Sequence, residues 1–181
     1  MARLDGFQVA PTSRASIRQQ AHEVLNYFKC QGYCPVVDIL DIELPREIPK
    51  FRALYPSQAE MLEKFGPGVE GMTFPDDNLI YIREDVYLRA CNNDGRARFS
   101  IAHEIGHYCI HGGVGLARRA RHTTPIYCNS EWQADTFAGE LLADSRCVRR
   151  GDSISDLIAR FGLSHEAACV RWTQLQGEGL I

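Results

Sequence analysis

The sequence predicts one α+β domain, mostly helical, in which a small β-sheet or hairpin packs beside a central helix and a helix pair closes the C-terminal end. Three observations support this prediction. The chain has 181 residues, of which 45% are hydrophobic, and this is enough for one buried core. Apolar residues recur at helical spacing in most of the chain, whereas strand-like composition is confined to residues 69–82. The last segment contains two helical patterns, at about 153–161 and 165–176.

The predicted domain has three parts. They are an N-terminal helical part at 1–60, a core at 69–145 and the C-terminal helix pair at 152–176. In the N-terminal part, apolar spacing predicts a helix from Ser16 to Lys29, and Pro35 can open a short second helix. Three prolines then predict a loop, after which Ser57 and Glu60 resemble the capping box of another helix.

The core is expected to begin with a β-hairpin and to continue with the central helix. The strands of the hairpin are VEGMTF and LIYI, joined by a Pro-Asp-Asp-Asn turn, and the second strand is expected to be the more buried. Apolar residues at helical spacing from Phe99 to Ile110 then predict the central helix, which two glycines end.

The rest of the core is a predicted loop followed by a helix. Residues 112–129 lack periodicity and predict a long loop, which in compact domains is more often functional than idle. Ser130 with Gln133 forms a plausible capping box for a helix from Glu131 to about Ala143.

Composition and charge narrow the class of protein. The formal net charge is −3, which gives no general electrostatic case for binding nucleic acid or anionic lipid. No stretch approaches 18 uninterrupted apolar residues, and the first residues lack the apolar core of a secretory signal. The seven cysteines are an odd number at irregular spacing, as expected for reduced thiols. These features predict a cytoplasmic protein without a membrane segment.

The stretch RFSIAHEIGHYCIHGG, residues 98–113, carries the chemistry. His103 and His107 lie four residues apart, so on a helix both imidazoles emerge on one face and can reach one ion. Catalytic zinc takes three protein ligands and leaves one position for water, beside which Glu104 would project. The alternative is a buried helix that carries these groups by chance, but burying them without partners would cost several kcal/mol.

The third ligand has two possible sources. On a continuous helix, His111 lies about 12 Å along the axis from His103, too far for both to bind one ion. This leaves His111 as an outer partner of a ligand, a helix-terminal residue or an accessory group that faces the substrate. Glu131 and Asp135 lie one turn apart on the later helix, and either could bind the metal. We favour Glu131 as the ligand, with Asp135 accepting the free ring N–H of a ligand histidine.

RFSIAHEIGH followed by EWQADTFAGELLA resembles the ImmA/IrrE metallopeptidases, a zincin-type family, over about residues 69–176. The resemblance implies a zincin-like fold and a protein substrate, typically a helix-turn-helix repressor whose inactivation releases phage, mobile-element or stress genes. One departure is Ala143-Asp144, where members often have Met-Pro, and it bears on how that helix ends. The resemblance implies as metal ligands His103, His107 and Glu131, and as general base Glu104.

The expected reaction is hydrolysis of a peptide bond with zinc as the cofactor, although another divalent transition metal can occupy such a ligand set. The edge of the hairpin could hold an extended peptide by strand addition, but the sequence does not identify the exposed strand. Candidates for oxyanion or substrate contacts, by position alone, are His111, His122, Tyr108 and Tyr127.

Two alternatives belong to other functional classes. SISDLIARFGLSHEAACVRW mimics a helix-turn-helix, but its second helix offers Arg171 and few other basic groups, so direct binding of nucleic acid is not favoured. The second alternative is a regulatory protein that binds DNA or a repressor and has a metal site but no proteolytic activity. Replacing Glu104 separates that protein from a peptidase.

Overall fold

The computed structural model describes residues 6–112 and 124–181, which form helices around a small sheet. This is the predicted α+β fold. The helices are α1 Arg14–Tyr27, α2 Val36–Asp38, α3 Leu44–Glu47, α4 Gln58–Phe65, α5 Glu84–Cys91, α6 Gly95–Ile110, α7 Ser130–Leu142, α8 Ile154–Phe161 and α9 His165–Gly177. The strands are β1 Arg52–Leu54, β2 Gly71–Phe74 and β3 Leu79–Ile82.

The predicted hairpin is part of a three-stranded sheet in the described part of the chain, with the order β1-β3-β2. β3 pairs with β2 in the antiparallel sense and with β1 in the parallel sense. All four residues of β3 are buried, as expected for the second strand of the hairpin. β2 is therefore an edge strand, and it packs beside α6.

The centre of the fold is the antiparallel pair α6 and α7. Ile101, Ile105 and Phe137 are fully buried between elements, and each such side chain contributes about 1.5–3 kcal/mol to stability. Gly106 allows the two helices to approach closely. A Cβ at this position would lie 3.1 Å from Cδ1 of Phe137 and 3.2 Å from the carbonyl oxygen of Ala134.

The predicted proline-rich loop is wrong in part. Between Val36 and Glu47 the chain is helical throughout, with a π-helical turn at Ile39–Glu43 between α2 and α3. Pro45 comes just after the π-helical turn, and the helical segment continues past it to Glu47, so proline does not break the helix there. The short strand β1 then joins the sheet, a pairing that only the distant β3 can supply.

Helix α5 was not predicted. Its N-cap Arg83 makes no side-chain capping bond, and only Val86 and Ala90 are buried, so the sequence offers little periodic signal. It packs against α6 and extends the helical layer beside the motif.

The predicted C-terminal helix pair is present as α8 and α9. Gly162 ends α8 in the left-handed conformation, at φ 64°, where glycine is favoured. The buried Arg98 of α6 donates to the carbonyls of Phe161 and Gly162 at 2.8 and 2.6 Å, and to that of Cys34 at 2.7 Å. The guanidinium of Arg98 therefore joins the motif helix to the segment before α2 and to the end of α8.

In the described residues, no helix has both the length and the apolar character to cross a bilayer.

Candidate metal centre

The two histidines of the motif and one later carboxylate converge on a common point. The Nε2 atoms of His103 and His107 lie 3.0 Å apart on adjacent turns of α6. Each of these atoms lies 3.3 Å from a carboxylate oxygen of Glu131, in the first turn of α7. The structure brings together the three groups that the sequence and the resemblance nominate as ligands.

The spacing of these donors fits a tetrahedral metal. Ligand atoms bound to zinc at 2.0–2.1 Å in tetrahedral geometry lie about 3.3 Å from one another. Here the two Nε2 atoms lie 3.0 Å apart, Oε2 of Glu131 lies 3.3 Å from Nε2 of His103, and Oε1 of Glu131 lies 3.3 Å from Nε2 of His107. Two imidazole nitrogens and a carboxylate oxygen are also a ligand set that catalytic zinc uses.

The start of α7 is held in place from two sides. The side chain of Asn129 accepts a hydrogen bond from the backbone N–H of Trp132 at 3.1 Å and caps the helix. The backbone N–H of Ser130 donates to the carbonyl of Phe7 at 3.0 Å, and the N–H of Phe7 donates to Oγ of Ser130 at 2.9 Å. The predicted capping box of Ser130 with Gln133 is therefore wrong, because Asn129 supplies the cap and Gln133 is used elsewhere.

Each of the two motif histidines has a partner on its Nδ1 atom. His103 Nδ1 lies 2.8 Å from Oδ1 of Asp135, and His107 Nδ1 lies 2.9 Å from Nδ1 of His111. With both Nε2 atoms facing the common point, each Nδ1 carries the proton and donates it outward. Such partners fix the tautomer and orientation of a ligand ring.

The partner of His107 belongs to a longer chain of hydrogen bonds. Because His111 Nδ1 accepts from His107, its Nε2–H donates to Oε1 of Gln133 at 3.1 Å. The amide of Gln133 donates in turn to the carbonyls of Ala10 and Tyr127, each at 2.8 Å. Sequence reasoning named Gln133 only as a capping residue and did not name Ala10, because the contacts of both residues join distant parts of the chain.

Burial and the hydrogen-bonded or charged neighbours shift the pKa values of His103, His111 and Glu131. Burial lowers the pKa of His103, but hydrogen bonds with Asp135 and Glu131 outweigh it and raise the pKa to about 10. Burial raises the pKa of Glu131, but His103 and His107 hold it well below its usual range. Burial and the neighbouring His107 lower the pKa of His111 to about 4. At neutral pH, an ion that binds His103 must therefore displace a proton.

Glu104, the predicted general base, is held between α6 and the edge strand β2. The hydroxyl of Thr73 donates to Oε2 of Glu104 at 2.6 Å and lies 3.1 Å from its backbone carbonyl oxygen. A Cβ at Gly71 would lie 2.6 Å from Oε1 of Glu104, so the carboxylate occupies the space that a side chain there would fill. The sequence did not single out Thr73 or Gly71, because they come next to the carboxylate only when the sheet packs against α6.

The other nominated side chains lie in different surroundings. The hydroxyl of Tyr108 donates to Oδ1 of Asn78 at 2.6 Å, and its ring packs edge-on against Phe51. The side chain of Tyr127 is exposed, and His122 lies outside the described residues. The roles of these residues and of His111 in contacting substrate or an oxyanion stay predictions.

A cleft of about 850 Å³ opens beside the centre. His103 and Glu104 line one part of it, and α6, α7 and α9 each contribute one face. This volume is in the range of ligand-binding clefts.

Comparison with known proteins agrees with the geometry. Residues 66–173 match the family model Peptidase M78, described as the IrrE N-terminal-like domain. The matched segment is more than half of the chain and contains His103, Glu104, His107 and Glu131. No curated protein gives a significant match to the chain.

Proposed function

Because the chain belongs to the IrrE N-terminal-like family of metallopeptidases, we propose that it is a zinc-dependent endopeptidase. The observation that carries the proposal is the convergence of His103, His107 and Glu131 at the spacing that zinc ligands require. Asp135 and His111 support it, because each holds the outward nitrogen of one ligand ring.

The chemistry that bound zinc supplies is a water of lowered pKa and polarisation of the scissile carbonyl. Glu104 accepts the proton of the attacking water and passes it to the leaving amine. Thr73 donates to Oε2 of this carboxylate, which orients the group and leaves Oε1 to accept the proton. Burial of Glu104 excludes bulk water from the proton transfer.

The edge strand β2 offers a way to hold the substrate. Gly71, at its start, lies against Glu104 and lines the cleft, so this strand passes directly beside the proposed base. An extended peptide that adds to β2 would hold its backbone along the cleft by main-chain hydrogen bonds. We therefore propose β2, rather than the opposite edge β1, as the strand that receives substrate.

The proposed substrate is a cytoplasmic helix-turn-helix repressor, whose cleavage would release phage, mobile-element or stress genes. This part of the proposal is supported by the resemblance of the motifs. Direct DNA binding has less support, because Arg171 of the helix-turn-helix mimic is 2% exposed and pairs with Glu140. Its guanidinium donates to both oxygens of that carboxylate, at 2.7 and 2.6 Å, and is not available to a phosphate.

Replacing the proposed base tests the reaction. In Glu104→Gln, we expect zinc affinity to stay within about threefold of wild type, because the residue is not a ligand. Cleavage should fall by about 10²–10⁴-fold, the usual contribution of general acid–base catalysis. The measurement is peptide cleavage by the zinc-loaded protein, read by mass spectrometry on a mixture of tryptic peptides.

Glu63→Gln is the matched control, because it removes the same charge from an exposed position that does not line the cleft. Cleavage by the control should remain near wild type. Equal cleavage by Glu104→Gln and wild type would contradict the assigned base. Zinc binding without cleavage of any peptide by the wild type would favour the silent regulatory protein.

A further inference from the structure

The cleft extends away from the metal centre and is lined by one face of each of three helices, α6, α7 and α9. On α6 and α7, the lining residues recur at spacings of three and four, so each set forms one helical face. Since His103 and Asp135 belong to these faces, the cleft is continuous with the site of reaction. On α7 the lining residues are Trp132, Asp135, Thr136 and Gly139.

The part of the cleft toward α9 contains apolar residues within a mixed lining, in which Ser164, Glu166 and Gln174 are polar. Val170 of α9 is 55% exposed there, and the partly buried Phe99 and Ala167 also line the cleft. Two of the charged groups that line the cleft are paired, because Arg96 donates to Oε1 of Glu70 at 3.2 Å and Arg171 pairs with Glu140, whereas Glu166 is exposed. An apolar group that packs against Phe99, Ala167 and Val170 would bury carbon surface on both sides of the contact.

Gly139 leaves space in this part of the cleft. It lies inside α7, where glycine costs about 0.5–1 kcal/mol relative to alanine. Its backbone is not in the left-handed region, so the conformation does not require glycine. Apart from its chain neighbours and the nearby backbone of α7, no described atom lies within 4 Å of the position that a Cβ would take. Glycine at position 139 is therefore required neither by the backbone conformation nor by close packing against the described residues. Its lack of a side chain widens the cleft.

We propose that the part of the cleft lined by Phe99, Gly139, Ala167 and Val170 binds a large apolar side chain of the substrate beside the cleaved bond, and that Gly139 sets the size accepted. This specificity pocket rests on the proposed peptidase function. Its occupant is leucine, methionine or phenylalanine, because Phe99, Ala167 and Val170 are apolar and the cleft is contiguous with His103 and Glu104.

The first test compares the cleavage preferences of wild type and Gly139→Leu on a mixture of tryptic peptides, read by mass spectrometry. We expect the wild type to favour large apolar residues at one position beside the cut. In Gly139→Leu, the preference for those residues over alanine should fall by about tenfold or more, because the new side chain fills the pocket. Gly177→Leu is the matched control, since Gly177 lies in α9 outside the cleft and also has no described atom within 4 Å of a Cβ.

The second test measures binding without cleavage. The Glu104→Gln protein, in a Trp172→Phe background, is titrated with acetyl-Ala-Ala-X-Ala-Ala-amide peptides in which X is leucine, phenylalanine or alanine. Trp132 lines the cleft and reports binding by its fluorescence. The leucine and phenylalanine peptides should bind more tightly than the alanine peptide, and adding Gly139→Leu should remove that advantage.

The two tests separate failure of the pocket from failure of the peptidase. If the binding titration shows the expected preference but the wild type cleaves nothing, the peptidase function is wrong and the apolar pocket stands. If the wild type does not distinguish leucine from alanine in binding, or if Gly139→Leu keeps the wild-type preference, the pocket is wrong. Thermal melting of Gly139→Leu at or above the wild-type temperature shows that the variant is folded.

Discussion

At Gly71, the absence of a side chain determines where the proposed base lies. A Cβ there would be 2.6 Å from Oε1 and 2.8 Å from Cδ of Glu104, so only glycine leaves room for the carboxylate. Thr73, two residues along the same strand, holds the other oxygen by a hydrogen bond. Strand β2 therefore positions the base from one side while α6 carries it from the other.

Gly71→Ala should separate catalysis from metal binding. The added methyl group displaces the Glu104 carboxylate, and a displacement of about 1 Å can cost about 10²-fold in rate. Zinc affinity should change little, because none of the three proposed ligands touches Gly71 in the contacts described. The measurements are cleavage rate and zinc affinity by chelator competition. Gly177→Ala is the control, and wild-type cleavage by Gly71→Ala would contradict the account of Glu104.

At the scale of elements, α7 carries several functions on different faces. Glu131 and Asp135 face the metal centre, Gln133 supports His111, and Gly139 lines the cleft. Its remaining charged residue, Glu140, is fully buried on the side toward α1 and α9. Because one short helix holds these groups in fixed relation, its anchoring affects the whole site.

Glu140 is the anchor that joins α7 to two other helices. Arg171 of α9 donates to its oxygens at 2.7 and 2.6 Å, and Arg18 of α1 donates to the same carboxylate at 3.0 Å. Removing one partner of a buried pair leaves the other charge uncompensated. We expect Glu140→Ala to lower the free energy of unfolding by about 3–5 kcal/mol. Glu178→Ala, which removes a half-exposed partner of Arg18, should cost about 0–1 kcal/mol.

The same anchor predicts acid sensitivity. Burial raises the pKa of Glu140, but hydrogen bonds from Arg18 and the charge of Arg171 outweigh it, so the folded pKa is lowered. Its stabilisation is complete above the unfolded value of about 4.3 and is lost as the pH falls through the folded pKa. Urea unfolding at pH values from 7 to 3 measures both the stability lost in Glu140→Ala and the loss of wild-type stability in acid. Equal stability of Glu140→Ala and wild type at pH 7 would show that the pair contributes nothing.

The sequence predicts those parts of the site that depend on residues close together in the chain. The spacing of His103, Glu104 and His107 within one helix is local, so the sequence alone predicted their common face. The later carboxylates were nominated from their one-turn separation, and the structure brings Glu131 to the two Nε2 atoms and Asp135 to His103 Nδ1.

What the sequence did not predict depends on partners far along the chain. β1 is a strand only because it pairs with β3, and α5 buries two side chains that leave almost no periodic pattern. Thr73 and Gln133 contribute through tertiary hydrogen bonds, for which spacing in the chain gives no signal.

At the scale of the whole molecule, the N-terminal segment supports a site that belongs to the matched family domain. Residues 66–173 match the family model, whereas Phe7, Val9 and Ala10 precede that segment. The Val9 N–H donates to the carbonyl of Cys128 at 2.9 Å, and Ala10 accepts from Gln133. The N-terminal segment is therefore hydrogen-bonded to the residues just before α7. Its Ala10 carbonyl is the last acceptor in the chain of hydrogen bonds that begins at His107.

The central claim is that His103, His107 and Glu131 bind one zinc ion per chain. Elemental analysis with chelator competition tests it most directly, on wild type, Glu131→Gln, Asp135→Asn and Glu104→Gln. We expect one ion per chain in wild type and in Glu104→Gln. Asp135→Asn should weaken binding by about 10–100-fold, as outer partners of ligand histidines do, and Glu131→Gln should weaken it further. Wild-type zinc affinity in Glu131→Gln would contradict the claim.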